Sequence, residues 1–362
     1  MANIKAYDTK AGKRWRVRYR KPGGRQTDKR GFTTKKAAEL WASNNVVELA
    51  SGTWIPPEAG KTPLSAVADA WLASKSRVTP KTLAGYTTTV KLHLEPLRTI
   101  EVGKVTPGVV QDWIDGLNGS PKTVRNAASI LHSIMSRAVR DRQIQSNPCD
   151  GVELPKVAAT ERRYLTAAQV ESLAQVSKRP TLVNTLAYSG LRWGELAALQ
   201  KRDISPKKRR ITVRRSVTEV SGTLHWGETK NREHREVPIP TFLADQLRFA
   251  IKDKAADDLV FTAARGGVLR YRNARRWWDT AVDKADVPDG LTPHELRHTC
   301  ASLAIRSGAN VKVVQRMLGH ASAALTLDRY GHLFDDDLDT VADALGELRQ
   351  KECGQNVGTA TG

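Results

Sequence analysis

Residues 14–20 read Arg-Trp-Arg-Val-Arg-Tyr-Arg, polar and apolar in strict alternation. A period of two predicts a strand with unlike faces. Trp15, Val17 and Tyr19 fall on one, and Arg14, Arg16, Arg18 and Arg20 on the other. Lys21-Pro22-Gly23-Gly24 supplies a turn, and RQTDKRGF reads as a return strand. A helix carrying Trp41, Val46 and Leu49 is expected to cover the apolar face. After Trp54-Ile55-Pro56-Pro57 the period lengthens to 3.6. Thr62-Pro63, Thr79-Pro80, Thr106-Pro107 and Ser120-Pro121 each read as an N-cap hydroxyl with proline at the first helical position. Apolar stripes follow, among them Leu64, Val67, Trp71 and Leu72, then Val109, Trp113, Ile114 and Leu117. A third stripe comprises Val124, Ala127, Leu131, Ile134, Met135 and Ala138. These are core positions of a compact helical domain ending near Asn147-Pro148.

Residues 148–163 contain two prolines and no periodicity, as a linker would. From Leu165-Thr166 onward the pattern is mixed. Helices are predicted over 166–176 and 181–189, ending at Gly190, and another over LRWGELAALQ. Strands are predicted in RRITVRRSVTEV, TLHWGETK and REVPIP, with further helices to about residue 346 and a frayed tail after it. The expected organisation is a small sheet-plus-helix module (1–60), an all-α domain (61–150), a linker (151–163), a mixed α/β, mainly helical domain (164–346) and a tail (347–362). A chain of 362 residues exceeds one ordinary core, which agrees with several domains.

Charge narrows the partner. Lys and Arg total 58 against 38 Asp and Glu, a net charge of +20. The first sixty residues hold thirteen of those cations and five acids. Such a surplus favours a polyanion, most commonly nucleic acid. No apolar run approaches a transmembrane span, and MANIKAYDTK lacks a signal-peptide core. Three cysteines, far apart and in no metal spacing, fit a reducing cytoplasm. The arginine face of the first module is either a solvated surface or a ribbon for a DNA groove.

Four fragments of the last domain carry candidate chemistry: SGLRWGEL with Arg192 and Glu195, WGETKNREHREVPI with Lys230, TPHELRHT with His294 and Arg297, and LGHASAALTLDRY with His320 and Tyr330. Each alone has a structural explanation, as an ion pair, a solvated turn or a hydrogen-bonded histidine. HELRH also matches the H-E-x-x-H zinc-protease helix, with His294 and His298 one turn apart. Glu295 is equally explained as the partner of a Thr292-Pro293 helix cap, and nothing else suggests peptide recognition.

Taken in order, the fragments resemble the tyrosine site-specific recombinases, most closely phage integrases with an N-terminal arm-binding domain. The resemblance covers roughly residues 160–345 by motif and the two earlier domains by pattern. It implies a mixed α/β catalytic domain of tyrosine recombinase type, a helical core-DNA-binding domain and an arm-site module using Arg14, Arg16, Arg18 and Arg20. It casts Arg192 and Arg297 as the arginine pair, Lys230 as the hairpin lysine and His294 as a further catalytic group. His320 takes a position held by His or Trp, Tyr330 is the nucleophile, and Glu195 orients the arginine helix. His298 lies beside the motif with no role in the family pattern.

The chemistry suits those residue types. Two guanidiniums neutralise a phosphodiester's non-bridging oxygens through bidentate hydrogen bonds. A phenol of pKa about 10 is scarcely ionised at neutral pH and needs a base or a positive site, which His294 and the arginines would supply. Lys230 would protonate the leaving 5′ oxygen, and His320 would hold the phosphate. Tyr330 is expected to be exposed, so as to reach that phosphate. The resulting 3′-phosphotyrosyl ester keeps the backbone bond energy, so no cofactor, neither metal nor ATP, is expected. The resemblance implies double-stranded attachment sites of core and arm type, a homotetramer on DNA, a host DNA-bending protein, an excisionase-type directionality factor, and no membrane. A chromosome-dimer-resolving recombinase is the alternative inside the family; it would generally lack the basic module before residue 60. Outside it stand a non-cutting DNA-binding regulator and the zinc metalloprotease. An intact Arg192, Lys230, His294, Arg297 and Tyr330 argue against the regulator.

Overall fold

The computed structural model describes residues 3–20, 24–50, 54–56, 58–158, 163–228, 234–333 and 338–353. It divides into two compact units, 1–158 and 159–362.

The first unit opens with an antiparallel sheet of β1 (Asn3–Thr9), β2 (Gly12–Arg20) and β3 (Gln26–Phe32), with β2 central. β1 shows little in the sequence because its single apolar position of note, Ile4, leaves little alternation to see. Val17 and Tyr19 are buried, and α1 (Lys35–Ala50) packs on that side. Trp41 meets Tyr19 edge-on at 5.1 Å and Phe32 at 5.8 Å. Val46, expected to cover this face, is 52% exposed. The buried stripe runs through Ala38, Ala42 and Asn45, and Val46 falls about 100° round from Asn45.

The helical part comprises α2 (Leu64–Ala73), α3 (Pro80–Leu92), α4 (Pro107–Asp115) and α5 (Pro121–Arg140). Thr79, Thr106 and Ser120 each accept a backbone N–H three residues on, at 3.3 Å, with proline behind them. Thr62 does not cap α2. Its hydroxyl donates to the Ala59 carbonyl, while the backbone beside it pairs with 100–102, so the helix starts only at Leu64. The stripes of α2, α4 and α5 close on a core around Leu131, Ile134 and Met135. Residues 149–155, expected as linker, are held to this core. Cys149 is buried in it, Val152 and Leu154 pack against it, Gln111 bonds the backbone of Glu153, and Arg125 bonds the carbonyl of Pro155.

The second unit begins with α6 (Ala167–Val176), α7 (Pro180–Ser189) and α8 (Trp193–Ala197). The helix expected over LRWGELAALQ stops at Ala197 because Leu199 and Gln200 turn extended and bond Val260 and Leu259. β4 (Ile204–Ser205), β5 (Arg210–Val213) and β8 (Arg235–Pro238) form one sheet, β6 (Arg215–Val220) and β7 (Thr223–Glu228) another. The run RRITVRRSVTEV is therefore cut at Arg214. There the buried carboxylate of Asp203 draws Arg214 and Arg215 together, each at 3.2 Å. α9 (Thr241–Ala250), α10 (Tyr271–Val282), α11 (Glu295–Arg306), α12 (Val311–Leu318), α13 (Ala323–Tyr330) and α14 (Leu338–Cys353) complete the unit. Its main core joins α6, α7, α9, α10 and the β5–β8 sheet. A smaller one of Ala301, Ile305, Val314, Leu318 and Tyr330 joins α11, α12 and α13. No described helix is long and apolar enough to cross a membrane.

Candidate active site

α7 ends at Gly190 in a left-handed turn (φ 64°), and α12 ends at Gly319 in another (φ 64°). A Cβ on Gly190 would stand 2.6 Å from Leu318 Cδ2. Only glycine combines that backbone with that approach. The two turns thus abut, and both present carbonyls to one guanidinium. Arg297, on the first turn of α11 and 2% exposed, donates to the carbonyls of Gly190 and Leu318. Burial, together with the neighbouring charge of Arg192, pulls its pKa down to about 9, so it remains a cation at neutral pH.

Arg192 precedes α8, and the carboxylate of Glu195 folds back on it. One oxygen accepts the Arg192 backbone N–H at 2.9 Å, and the other accepts Nη1 at 2.9 Å. Glu195 is 3% exposed. Burial alone would raise its pKa, but the hydrogen bonds and charge of Arg235, with the charge of Arg192, win and hold it at about 2.

Arg235 is a residue that sequence reasoning missed. It grips Glu195 with both terminal nitrogens, at 3.0 and 2.6 Å, and its Nε donates to the Met317 carbonyl at 3.1 Å. Its stem lies 3.0 Å from where a Cβ on Gly319 would sit. One side chain therefore ties the arginine helix to the turn that carries His320. A signal was available: Arg235 alternates with buried Val237, so it belongs to the inward face of β8. Removing one partner of a buried ion pair costs roughly 3–5 kcal/mol. Arg235→Leu is thus expected to lower the melting temperature by on the order of 10 °C, with Arg235→Lys falling between. An unchanged melting curve for Arg235→Leu would refute the bridging role.

Tyr330 closes α13. Its ring is 0% exposed within the smaller core, and its hydroxyl lies 2.7 Å from Nδ1 of His298. The expectation of an exposed tyrosine is corrected here. The last turn of α13 packs against α11 and α12, and a phenol there covers more apolar area buried than exposed. The ring of His320 lies parallel to that of Tyr330, 6.3 Å between centroids. Nδ1 of His320 pairs with the Thr326 hydroxyl at 2.9 Å, while its buried Nε2 has no hydrogen-bond partner among the described residues. Burial and the charges of Arg297, Arg329 and Arg192 push His320 down to about 3. Burial and the charges of Arg297, Arg192 and Arg329 also lower His294, whose ring stands edge-on to His298 at 5.2 Å.

Arg192, Glu195, His294, Arg297, His320 and Tyr330 thus converge. Lys230 lies outside the described residues, between β7 and β8. In the HELRH segment the Glu295 carboxylate accepts the Thr292 N–H at 2.6 Å, half of the expected capping box, while the helix itself starts only at Glu295 with His294 before it. His298 is engaged with Tyr330. Among the described residues no three His, Cys, Asp or Glu side chains are grouped to hold a metal ion. What the site offers is a surplus of guanidinium charge around one carboxylate, and beside it a phenol. Such an arrangement can hold a singly charged anion next to a phenolic hydroxyl.

The four arginines of β2 form a separate surface in the first unit. Arg18 and Arg20 are exposed, Arg14 and Arg16 half-buried, all opposite Val17 and Tyr19. Asp28 gathers Arg18 at 2.9 Å, Arg30 of β3 at 3.4 Å and Arg16 at 3.6 Å, so Arg16 and Arg18 are tethered to one carboxylate.

Residues 163–336 match the phage integrase family. The integrase of Mycobacterium phage D29 is 28% identical over 323 residues, spanning 84% of this chain and 86% of its own. Among solved structures, the Tn1549 transposon integrase in complex with transposon right end DNA superposes with a TM-score of 0.68 at 21% identity, covering 79% of this chain and all of that one. A lambda integrase tetramer bound to a Holliday junction superposes at 0.58 and 19% identity, covering 88% of this chain and 96% of that one. These two likenesses bear on the fold, and they span both units. The domain spanning residues 163–336 belongs to the phage integrase family and is that of a tyrosine recombinase.

Proposed function

We propose that this site-specific DNA integrase cleaves and rejoins attachment sites through Tyr330, integrating phage or mobile-element DNA into a host chromosome. The carrying observation is the buried Tyr330 hydroxyl, bonded to His298 beside the cations Arg192 and Arg297. Arg192 and Arg297 hold the non-bridging oxygens of the scissile phosphate. His320, with Nε2 unspent, donates a further hydrogen bond, and His294 lines the same pocket as a neutral ring. Glu195 orients Arg192 through the hydrogen bonds described. Lys230 protonates the 5′ oxygen as the P–O bond breaks. The 3′-phosphotyrosyl ester is then attacked by a 5′ hydroxyl of the partner duplex, which regenerates Tyr330. Guanidinium charge does the work of stabilisation at each step, so the reaction runs without metal or ATP.

Residues 1–60, 61–150 and 164–346 act as arm-binding, core-binding and catalytic domains, joined through 151–163 and followed by a tail at 347–362. The active form is a homotetramer on paired sites, as in the lambda integrase structure with a Holliday junction. A host DNA-bending protein and a directionality factor assist it in the bacterial cytoplasm, where the chromosome lies. The chromosome-dimer-resolving alternative is disfavoured by the arginine row on β2. The test of the reaction is a nicked attachment-site duplex incubated in EDTA, then denatured and resolved on a gel. A protein–DNA adduct is expected, and restoration of the adduct only by added metal would defeat the metal-free mechanism.

The arm-binding role makes a second expectation. Arg14→Ala, Arg18→Ala and Arg20→Ala together are expected to leave cleavage of an isolated core site intact and to weaken arm-site binding. The salt dependence of that binding should flatten by about 0.9 in log–log slope for each phosphate no longer neutralised. Wild-type affinity and slope in the triple variant would overturn the assignment.

A further inference from the structure

The family pattern reserves no role for the histidine after the second arginine, yet in this chain its ring nitrogen is hydrogen-bonded to the Tyr330 hydroxyl. We propose that His298 is the group that takes the Tyr330 proton. The proposal rests on the reading of Tyr330 as nucleophile.

Geometry carries it. The O···N distance of 2.7 Å is that of a short hydrogen bond. The phenol is buried, so a side chain already bonded to its hydroxyl is the nearest place for its proton. His320 is ill placed to receive it. Its ring centroid lies 6.3 Å from that of Tyr330, farther than the 5.8 Å of His298, and its Nδ1 is already paired with Thr326. His294, at the N-cap of α11, meets the ring of His298 edge to face at 5.2 Å. The order Arg297-His298 delivers the phosphate-binding cation and the proton acceptor from one turn of one helix. This also explains why a buried tyrosine is chemically useful: it rests already bonded to its base.

The step balances. In neutral His298 the ring proton sits on Nε2, and Nδ1 accepts from the phenol. As the Tyr330 O–H bond breaks, an N–H bond forms at Nδ1 and the phenolate electron pair forms the O–P bond. The P–O5′ bond breaks, and the 5′ oxygen takes its proton from Lys230. Rejoining reverses each transfer. The groups facing the pair are His294 at the N-cap of α11, Arg297 on α11, Arg329 on α13, and Arg192, His320 and Tyr164 around them. Their charge favours phenolate and resists an isolated imidazolium. Transfer inside the hydrogen-bonded pair is compatible with both, because the new charges form side by side.

The test uses the full chain and His298→Asn, whose side-chain amide sits where Nδ1 was but has no basicity. His298→Gln serves as the second variant if the first melts below the assay temperature. Single-turnover cleavage is followed on a nicked duplex with the natural 5′ oxygen at the scissile bond and on one with a bridging 5′ sulfur. A thiolate leaves without a proton, so the sulfur substrate bypasses Lys230 and still needs the phenol ionised. Expected is a fall of roughly 10²–10⁴ on both substrates, with DNA affinity unchanged. The variant's rate should keep rising with pH toward the ordinary phenol pKa of about 10, where the wild type has levelled off. A rate within about threefold of wild type on the sulfur substrate would overturn the proposal. So would a loss carried by His294→Asn on that substrate and not by His298→Asn. Tyr330→Phe run alongside separates the two readings. If it too forms adduct, the nucleophile assignment falls and His298 with it. If it does not, the outcome with His298 stands on its own.

Discussion

Tyr330→Phe is expected to form no covalent DNA adduct under conditions in which the wild type forms it within minutes. The substitution removes one oxygen and nothing else. The ring keeps its place against Ala301, Ile305, Val314 and Leu318, parallel to His320. What disappears is the hydrogen bond to His298, a matter of about 1 kcal/mol of net stability. For a unit of this size that is a few degrees of melting temperature at most. Affinity for the nicked duplex should be unaltered, because bonds to phosphate and not the buried phenol dominate it. The prediction is therefore a separation of binding from chemistry, read by mobility shift and by denaturing gel on the same samples. Adduct in the phenylalanine variant would remove Tyr330 from the mechanism outright.

Arg297 has the second largest expected effect, and it acts on both stability and rate. Its guanidinium reaches the carbonyls of Gly190 and Leu318 at once, so it joins the two turns that shape the pocket. A lysine keeps the charge but is a point donor without the planar fork. Arg297→Lys should leave at least one buried carbonyl unpaired, at about 1–3 kcal/mol. It should also cut the single-turnover cleavage rate by on the order of 10²–10³, because a donor to the phosphate oxygens is gone. The rate loss should persist at temperatures well below the variant's melting point, which distinguishes it from simple unfolding. Cleavage within a factor of ten of wild type would show that Arg297 is a structural clamp and Arg192 the phosphate ligand.

Much of the local structure was written in the chain. Strand β2 follows from strict alternation, and α3, α4 and α5 from hydroxyl caps backed by proline. These features depend on neighbours within four residues, which is the range a sequence displays directly. The exceptions share a cause. α2 starts late because residues 62–64 pair with 100–102, α8 stops early because Gln200 bridges to Leu259, and the strand run breaks at Arg214 because Asp203 reaches in. In each case a partner distant in sequence competes with the local preference and wins.

The same division runs through the site. The residue types, order and spacing of Arg192, Glu195, His294, Arg297, His320 and Tyr330 could be read from the chain, and with them the kind of reaction. The +20 charge pointed to the partner. Arg235 was only partly legible: alternation puts it on the inward face of β8, but the residues it bonds lie 40 and 82 positions away. The burial of Tyr330 could not be read, nor could the choice of His298 over His294 as its partner. Their four-residue spacing sets His294, at the N-cap of α11, and His298, within it, on one side, and only the approach of α13 decides which of them meets the hydroxyl. Chemistry that depends on composition and order was legible in one dimension. Which nitrogen faces which oxygen depends on how α11, α12 and α13 pack, and no periodicity encodes that.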